Sequence, residues 1–425
     1  MAAYSVTKNT SFLTAASILQ KVISFLYFTF VARAVGVENT GKYFFAISFT
    51  TIFAVVADFG LAPLLTREAA RYPDRTEEYL STVFIGKLIF GLVAIGLVGA
   101  AINLLGYAAD IRELVYLSAL TMWFDNLQTT FYSVLRARKN LVFESVAIVV
   151  AQLLTMIIGT VSIIMGAPLI WLIVAYTIPS FLNFLYAGVV VRRVYSIHYS
   201  WLFNRDIFKI FVYTAWPFAL AGLLGRLYSY SDAIMMSKLL PAEALGWWSV
   251  PYKIIFAFQF IPAALSASVY PVMSELFVSD PTKIGSLFLK SWRYLFIVVL
   301  PLAFGLMVFA EPIIIKLYRA DYLPSVPVLR ILAVSLIFSF LAFINGATLN
   351  ATNRQKTQTA LLAVTLVFNL VLNYWLIPGW GIIGAAWAAL ASSILLCGGG
   401  LYFASRGINL SIRQLGLSKW NQPSL

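Results

Sequence analysis

Leu19-Gln20-Lys21-Val22-Ile23-Ser24-Phe25 lies in the middle of the first long apolar segment, and Leu224-Gly225-Arg226-Leu227-Tyr228-Ser229 answers it in the second half of the chain. One constant offset of 205 residues superposes Lys21 on Arg226, and with them Leu19 on Leu224, Ser24 on Ser229, Arg33 on Lys238, Glu38 on Glu243 and Gly41 on Gly246. The pattern describes a duplicated unit with a cation near the centre of an apolar segment in each copy. Such a pair predicts a central path for something anionic.

Working outward, the rest of the chain is equally apolar. Hydrophobic residues make up 61% and charged residues 11% of the sequence, and the mean hydropathy is +0.87. A soluble domain is nearer half apolar and a quarter charged, so this chain belongs in lipid. Segments long enough to cross a hydrocarbon core of about 30 Å fall near 10–33, 43–65, 80–104, 112–135, 142–165, 168–191, 208–237, 245–272, 291–310, 328–350, 357–378 and 381–404. The ten-residue alternating segments of a membrane β-barrel are absent. The predicted fold is therefore all-α and integral to the membrane, with twelve spanning helices in two pseudo-symmetric six-helix bundles around a central cavity.

Basic residues set the orientation. With both termini in the cytoplasm, 19 Lys and Arg side chains fall on the inner side and 7 on the outer, while Lys21, Lys87, Arg226 and Lys253 stay within helices. That inner excess is the expected bias for an even number of spans. The net charge of +13 then reflects topology and attraction to anionic lipid heads, and no nucleic-acid partner is required. The first segment is longer than a signal-peptide core and carries Lys21 in its middle, so it is read as retained. The polar stretch from Arg192 to Lys209 divides the chain into lobes 1–197 and 198–425, and an even number of spans per lobe makes the repeat parallel. His198 within it reads as a solvated loop residue.

Chemistry is restricted by what the sequence lacks. Cys397 is the sole cysteine and His198 the sole histidine, so no metal site is expected. There is no Walker A loop to bind ATP. The paired acidic residues that hold Mg²⁺ in polyprenyl-transferring enzymes are missing too, as is any large extramembrane domain. A transporter without a cofactor is expected rather than an enzyme.

The motifs Phe30-Val31-Ala32-Arg33-Ala34-Val35-Gly36, Thr40-Gly41-Lys42-Tyr43, Asp58-Phe59-Gly60-Leu61 and Arg67-Glu68 resemble the opening of the polysaccharide flippases. Tyr270-Pro271-Val272, Ala310-Glu311-Pro312-Ile313-Ile314 and Gly381-Ile382-Ile383-Gly384-Ala385-Ala386 extend the likeness over nearly the whole chain. That family sits in the superfamily of multidrug/toxin extruders and lipid II flippases. The resemblance implies two six-helix bundles alternating between inward-open and outward-open states. It also implies a lipid-linked oligosaccharide substrate carried on undecaprenyl pyrophosphate in the bacterial cytoplasmic membrane, and coupling to H⁺ or Na⁺. A polysaccharide polymerase and glycosyltransferases are the pathway partners it suggests.

The residues supply a site for such a substrate. A charge at mid-depth costs roughly 2.5–3.5 kcal/mol to insert, so it usually faces water or a partner. Lys21 is twelve residues from Arg33, about 18 Å along a helix, beyond snorkelling reach, and Arg226 stands in the same relation to Lys238. Lys253, about two turns inside the eighth span, can snorkel more easily. Lys21 and Lys253 also resemble cavity cations of lipid II flippases. These three are the candidate pyrophosphate ligands, against the plainer reading of internal ion pairs. Asp125 is the candidate coupling carboxylate or a fixed partner of Lys21. Asp58 is expected to pair with Arg67 or cap a helix, and Asp232 to pair at the outer rim. Gln152, Asn183, Gln259, Asn345, Asn350, Asn369 and Asn373 could meet sugar hydroxyls, or simply hold helices together. Trp171, Trp247, Trp248, Trp375 and Trp380 read as an interfacial belt. Two other readings remain: a cation-coupled multidrug exporter, which an acidic cavity would favour, and a non-transporting scaffold of a glycan-assembly complex.

Overall fold

The computed structural model describes residues 6–198 and 200–408, with side chains from residue 12 onward. Of the charges expected on the inner side, the side chain of Lys8 and the whole of Arg413 and Lys419 fall outside that description, as does Tyr199 of the central loop. Thirteen α-helices run in order: α1 Val6–Asp58, α2 Leu61–Arg71, α3 Thr76–Leu104, α4 Ala109–Ala137, α5 Val142–Ile164, α6 Ile170–Val194, α7 Arg205–Leu239, α8 Ala242–Phe258, α9 Phe260–Ser279, α10 Ile284–Val308, α11 Ala310–Tyr318, α12 Ser325–Ala351 and α13 Gln355–Gly407. Among the described residues there is no strand, and nine stretches are long and apolar enough to cross a membrane.

Two of those stretches contain two crossings each. α1 breaks at Gly36 (φ 80°, ψ 174°) and α13 at Gly381 (φ 56°, ψ −135°), conformations that glycine reaches without a Cβ penalty. Thr40 Oγ1 donates to Gly36 O at 2.7 Å and ties the first break together. α4 is the further crossing: Arg112, Glu113, Asp125, Asn126 and Gln128 make it more polar than the nine, yet it packs between α1, α3 and α6. The protein is thus an all-α membrane protein with the twelve spans expected.

Two span boundaries differ from the sequence reading. The second crossing ends at Asp58 rather than near residue 65, because Phe59 (φ 48°) and Gly60 (φ 73°) both turn left-handed. The chain then starts α2, an amphipathic helix that buries Leu61, Leu64 and Leu65 and exposes Arg71. The eighth crossing is likewise split at Gln259 into α8 and α9, which puts Pro262 in the first turn of α9, where a missing N–H costs little.

The chain forms two compact units, Met1–Ile234 and Met235–Leu425. The sequence boundary at 197/198 marks a polar break; the contact boundary lies later because the loop is sewn to α3. His198 N–H donates to Glu77 Oε1 at 2.7 Å, Ser200 N–H to Ser81 Oγ at 3.0 Å and Asn204 N–H to Thr82 Oγ1 at 3.4 Å. Ile197, Ile207, Phe211 and Ala215 then join a core built on Leu61, Leu80, Val83, Phe131 and Val191. A Cβ on Gly60 would meet Ala215 O at 3.0 Å, so α7 lies directly on the α1/α2 break.

In the second unit α12 packs on α8, α9, α10 and α13, around the fully buried Trp248, Phe288, Tyr318, Tyr322 and Phe340. Trp248 is 2% exposed and so does not belong to the interfacial belt; Trp171, Trp375 and Trp380 are exposed as a belt requires. Lipid tails are as apolar as Leu, so helix association here rests on close packing and interhelical hydrogen bonds. The hydroxyl pairs Thr50–Ser118 (2.8 Å), Thr121–Thr177 (2.7 Å) and Ser335–Ser393 (2.8 Å) are of that kind.

Candidate functional site

Of the three cations expected to hold a diphosphate, Lys21 on α1 and Arg226 on α7 belong to the first unit and Lys253 on α8 to the second. Lys21 is partly buried, one residue before the half-exposed Val22 and two before the buried Ile23. It therefore stands at the margin of the α1 face that packs inward. Arg226 is exposed, in a run of partly buried residues from Ala221 to Gly225. Lys253 is partly buried beside the buried Ile254 and Ile255. Pro251, about two and a half turns into α8, is also buried.

The carboxylates are distributed differently from the sequence expectation. Asp58 pairs with Lys87 of α3 at 2.6 Å, not with Arg67, which is engaged by Glu68 at 2.8 Å. The reason is geometric: the left-handed residues Phe59 and Gly60 end α1 at Asp58 and place Arg67 on the separate helix α2. Lys87 is fully buried, and its ammonium also donates to Asn126 O at 3.0 Å and Thr129 Oγ1 at 2.9 Å. One lysine therefore joins the end of the second crossing to α3 and α4. Its contact with Asp58 Oδ1 is an ion contact rather than an aligned hydrogen bond. Sequence reasoning placed Lys87 within a helix and gave it no role; the nearby Gly86, which admits Phe208 of α7, was the available sign that this part of α3 is deeply packed.

Asp125 sits on α4 with Gln128 Nε2 at 3.2 Å and the hydroxyl of Ser180, on α6, as its hydrogen-bond donors. Both of these donors are neutral. Asp232, expected at a rim, is buried at 8% exposure within α7. Another ion pair, Arg136 Nε to Glu144 Oε2 at 2.9 Å, ties the end of α4 to the start of α5.

Several amides proposed for sugar are occupied by helix contacts. Asn183 accepts from Tyr132 across α6 and α4. Asn345 donates to Cys397 O at 2.9 Å between α12 and α13, and Asn373 donates to Asn369 Oδ1 at 3.0 Å along α13. Those are the interhelical and intrahelical bonds that stabilise a bundle. Gln152 on α5 is buried at 6%, and its Nε2 has no hydrogen-bond partner among the described residues. Among the described residues there is also no cluster of His, Cys, Asp and Glu able to hold a metal ion.

Comparison with known proteins places this arrangement. The chain is 25% identical over 384 residues to the probable low-salt glycan biosynthesis flippase Agl15 of Haloferax volcanii, covering 89% of this chain and 79% of that protein. It is 24% identical over 385 residues to the putative O-antigen transporter of Shigella flexneri, covering 84% and 87%. Its fold matches that of the lipid II flippase MurJ in an inward closed conformation with a TM-score of 0.79 at 17% identity, over 95% of this chain and 88% of the other. A family model named MatE matches residues 217–375. The model described as polysaccharide biosynthesis protein matches residues 6–277, well over half the sequence, and the chain belongs to that family.

Proposed function

We propose that the protein is an alternating-access flippase that carries a lipid-linked oligosaccharide, on an undecaprenyl-pyrophosphate carrier, across the cytoplasmic membrane for cell-surface polysaccharide biosynthesis. The observation that carries the reading is the cation at mid-span in α1 and again in α7, at positions related by the internal repeat, in a chain whose relatives are named for glycan flipping and O-antigen transport. Lys21, Arg226 and Lys253 would neutralise the diphosphate. Arginine adds a planar fork that can take two phosphate oxygens together. The glycan would stay in the aqueous path while the isoprenoid tail remains in lipid, so the protein need not desolvate the whole substrate.

Coupling falls to Asp125 in this reading. Its neutral donors leave the carboxylate without a permanent counter-ion, so H⁺ or Na⁺ can compete for it during the cycle. Asp58, held by Lys87, is a structural partner rather than a coupling group, and Asp232 would serve as a pairing group on α7. Both termini lie in the cytoplasm, and a polymerase and glycosyltransferases act before and after this step.

Transport of a fluorescent polyprenyl-pyrophosphate oligosaccharide in proteoliposomes tests the reading. Charge-assisted hydrogen bonds contribute about 1.5–3 kcal/mol each. Lys21→Ala combined with Arg226→Ala is therefore expected to slow transport at least ~100-fold. Undiminished transport in that variant removes the anchor. The MatE match over residues 217–375 supports a second reading, a cation-coupled drug exporter. Accumulation of organic cations that depends on this protein, with no glycan movement, would decide for it.

A further inference from the structure

A groove of about 520 Å³ runs along the inner part of α6 in the first unit, bounded by Phe131 of α4 and by Phe184, Leu185, Val189, Arg192 and Arg193. Its chemistry is graded. From Phe184 to Val189 the walls are apolar, with Leu185 44% and Val189 52% exposed, and Gly188 leaves the floor open. At the cytoplasmic end stand two exposed arginines. Phe184 to Arg192 spans about 12 Å of helix, close to the ~15 Å depth of one leaflet.

Neither arginine forms an ion pair among the described residues. That separates this groove from a second basic pocket near α2, where Arg67 and Arg75 are already engaged by Glu68 and Glu78. A further observation fixes its depth. The Phe84 ring lies 5.5 Å from Phe131, 6.4 Å from Phe184 and 6.5 Å from Trp201. Trp201 is 81% exposed on the inner loop, and an exposed indole at the end of a span is a headgroup-level anchor.

We propose that this groove binds an anionic phospholipid of the inner leaflet, one acyl chain lying along Phe184–Val189 and the phosphate held by Arg192 and Arg193. Charges that served topology alone would need no apolar channel leading to them. The proposal does not depend on the function proposed above.

The test uses the full chain in nanodiscs doped with phosphatidylglycerol or phosphatidylcholine carrying a photoactivatable acyl chain, with the labelled peptides mapped by mass spectrometry. A basic residue near an anionic surface favours binding about fivefold, so two give phosphatidylglycerol a preference of roughly 30-fold at residues 184–189. R192Q with R193Q should erase that preference. V189W should block labelling by either lipid while leaving the arginines in place. Equal labelling by the two lipids overturns the proposal, as does a preference that survives R192Q with R193Q. Displacement of phosphatidylglycerol by stoichiometric polyprenyl pyrophosphate also overturns it and gives the groove to the cargo's tail. If R192Q with R193Q fails to assemble, V189W decides: unchanged labelling there rules the groove out.

Discussion

Asp58→Asn isolates the contribution of the buried ion pair. Lys87 is 0% exposed and Asp58 27% exposed in their side chains. The two ends of the pair are therefore unequal: water can reach the carboxylate, while the ammonium depends on protein partners. Removing one member of a buried pair costs about 3–5 kcal/mol because the other charge is left behind. Here Asn126 O and Thr129 Oγ1 still accept from Lys87, so the lower end, about 3 kcal/mol, is expected. Lys87→Met removes the buried charge itself and leaves a carboxylate that can rehydrate, so its cost should be about 1 kcal/mol. Asp58→Asn with Lys87→Met should then be more stable than Asp58→Asn alone, an interaction of at least ~1 kcal/mol in the cycle. Thermal inactivation half-lives of the purified protein in one detergent measure the order, because unfolding of membrane bundles is often irreversible. Additive losses, or a Lys87→Met variant less stable than Asp58→Asn, would refute the assignment of Lys87 as the dependent partner.

Other outcomes follow from the packing. Gly60→Ala places a Cβ at φ +73°, 3.0 Å from Ala215 O, and should cost about 1–2 kcal/mol from the backbone conformation alone; its thermal half-life should fall while Gly36→Ala, with open space around it, loses only the conformational part. Gly91→Ala drives a methyl into the Trp123 ring, whose Cδ1 lies 2.1 Å from the added atom, and an overpacking loss of about 1–3 kcal/mol should appear with a change in Trp fluorescence. Trp248→Ala opens the core of the second unit at a cost of about 3–5 kcal/mol, whereas Trp375→Ala at 72% exposure should alter stability little. Between α9 and α10 the Asp280 carboxyl is held below its usual value, first by the Thr282 hydroxyl and then by Lys283. A depressed carboxylate stabilises its loop above the unfolded value and releases it as pH falls through the folded one. Amide exchange at residues 279–283 should thus be insensitive to that group from pH 8 to 5 and quicken below about pH 4; a Thr282→Val variant that leaves the acid response unchanged would refute the cause.

What the sequence makes legible divides along a physical line. Crossing a membrane demands some twenty apolar residues and internal satisfaction of every backbone group, so the all-α class and the number of spans can be read from composition. The same demand hides the ends of the second and eighth spans. Phe59-Gly60 is apolar enough to continue a span, and only the left-handed backbone reveals that α1 stops at Asp58. Trp248 shows the converse limit, because Trp247 and Trp248 are adjacent in an outer-end sequence yet lie a helical step apart, so one donates to Asp321 O while the other is buried.

Charge inside a bundle is harder to read, since a helix interior offers any cation three fates: cavity, partner or lipid edge. Lys21, Lys87, Arg226 and Lys253 look alike by hydropathy. What sorts them is the residue across the interface, which sequence spacing does not encode: Lys87 is separated from Asp58 and from Thr129 by wide intervals of chain, and it alone of the four is fully buried. The buried ammonium, held by Asp58, Asn126 O and Thr129 Oγ1, marks the place where the first unit is fixed. A substrate-holding cation must be the opposite, with hydrogen-bond capacity left for a ligand that comes and goes. The exposure of Arg226 meets that requirement most directly, and the single substitution Arg226→Lys, which keeps charge and loses the planar fork, should therefore lower affinity for a diphosphate more than Lys21→Arg does. Equal effects of the two exchanges on the KM for lipid-linked glycan would mean that charge alone, and not the geometry of the guanidinium, holds the diphosphate.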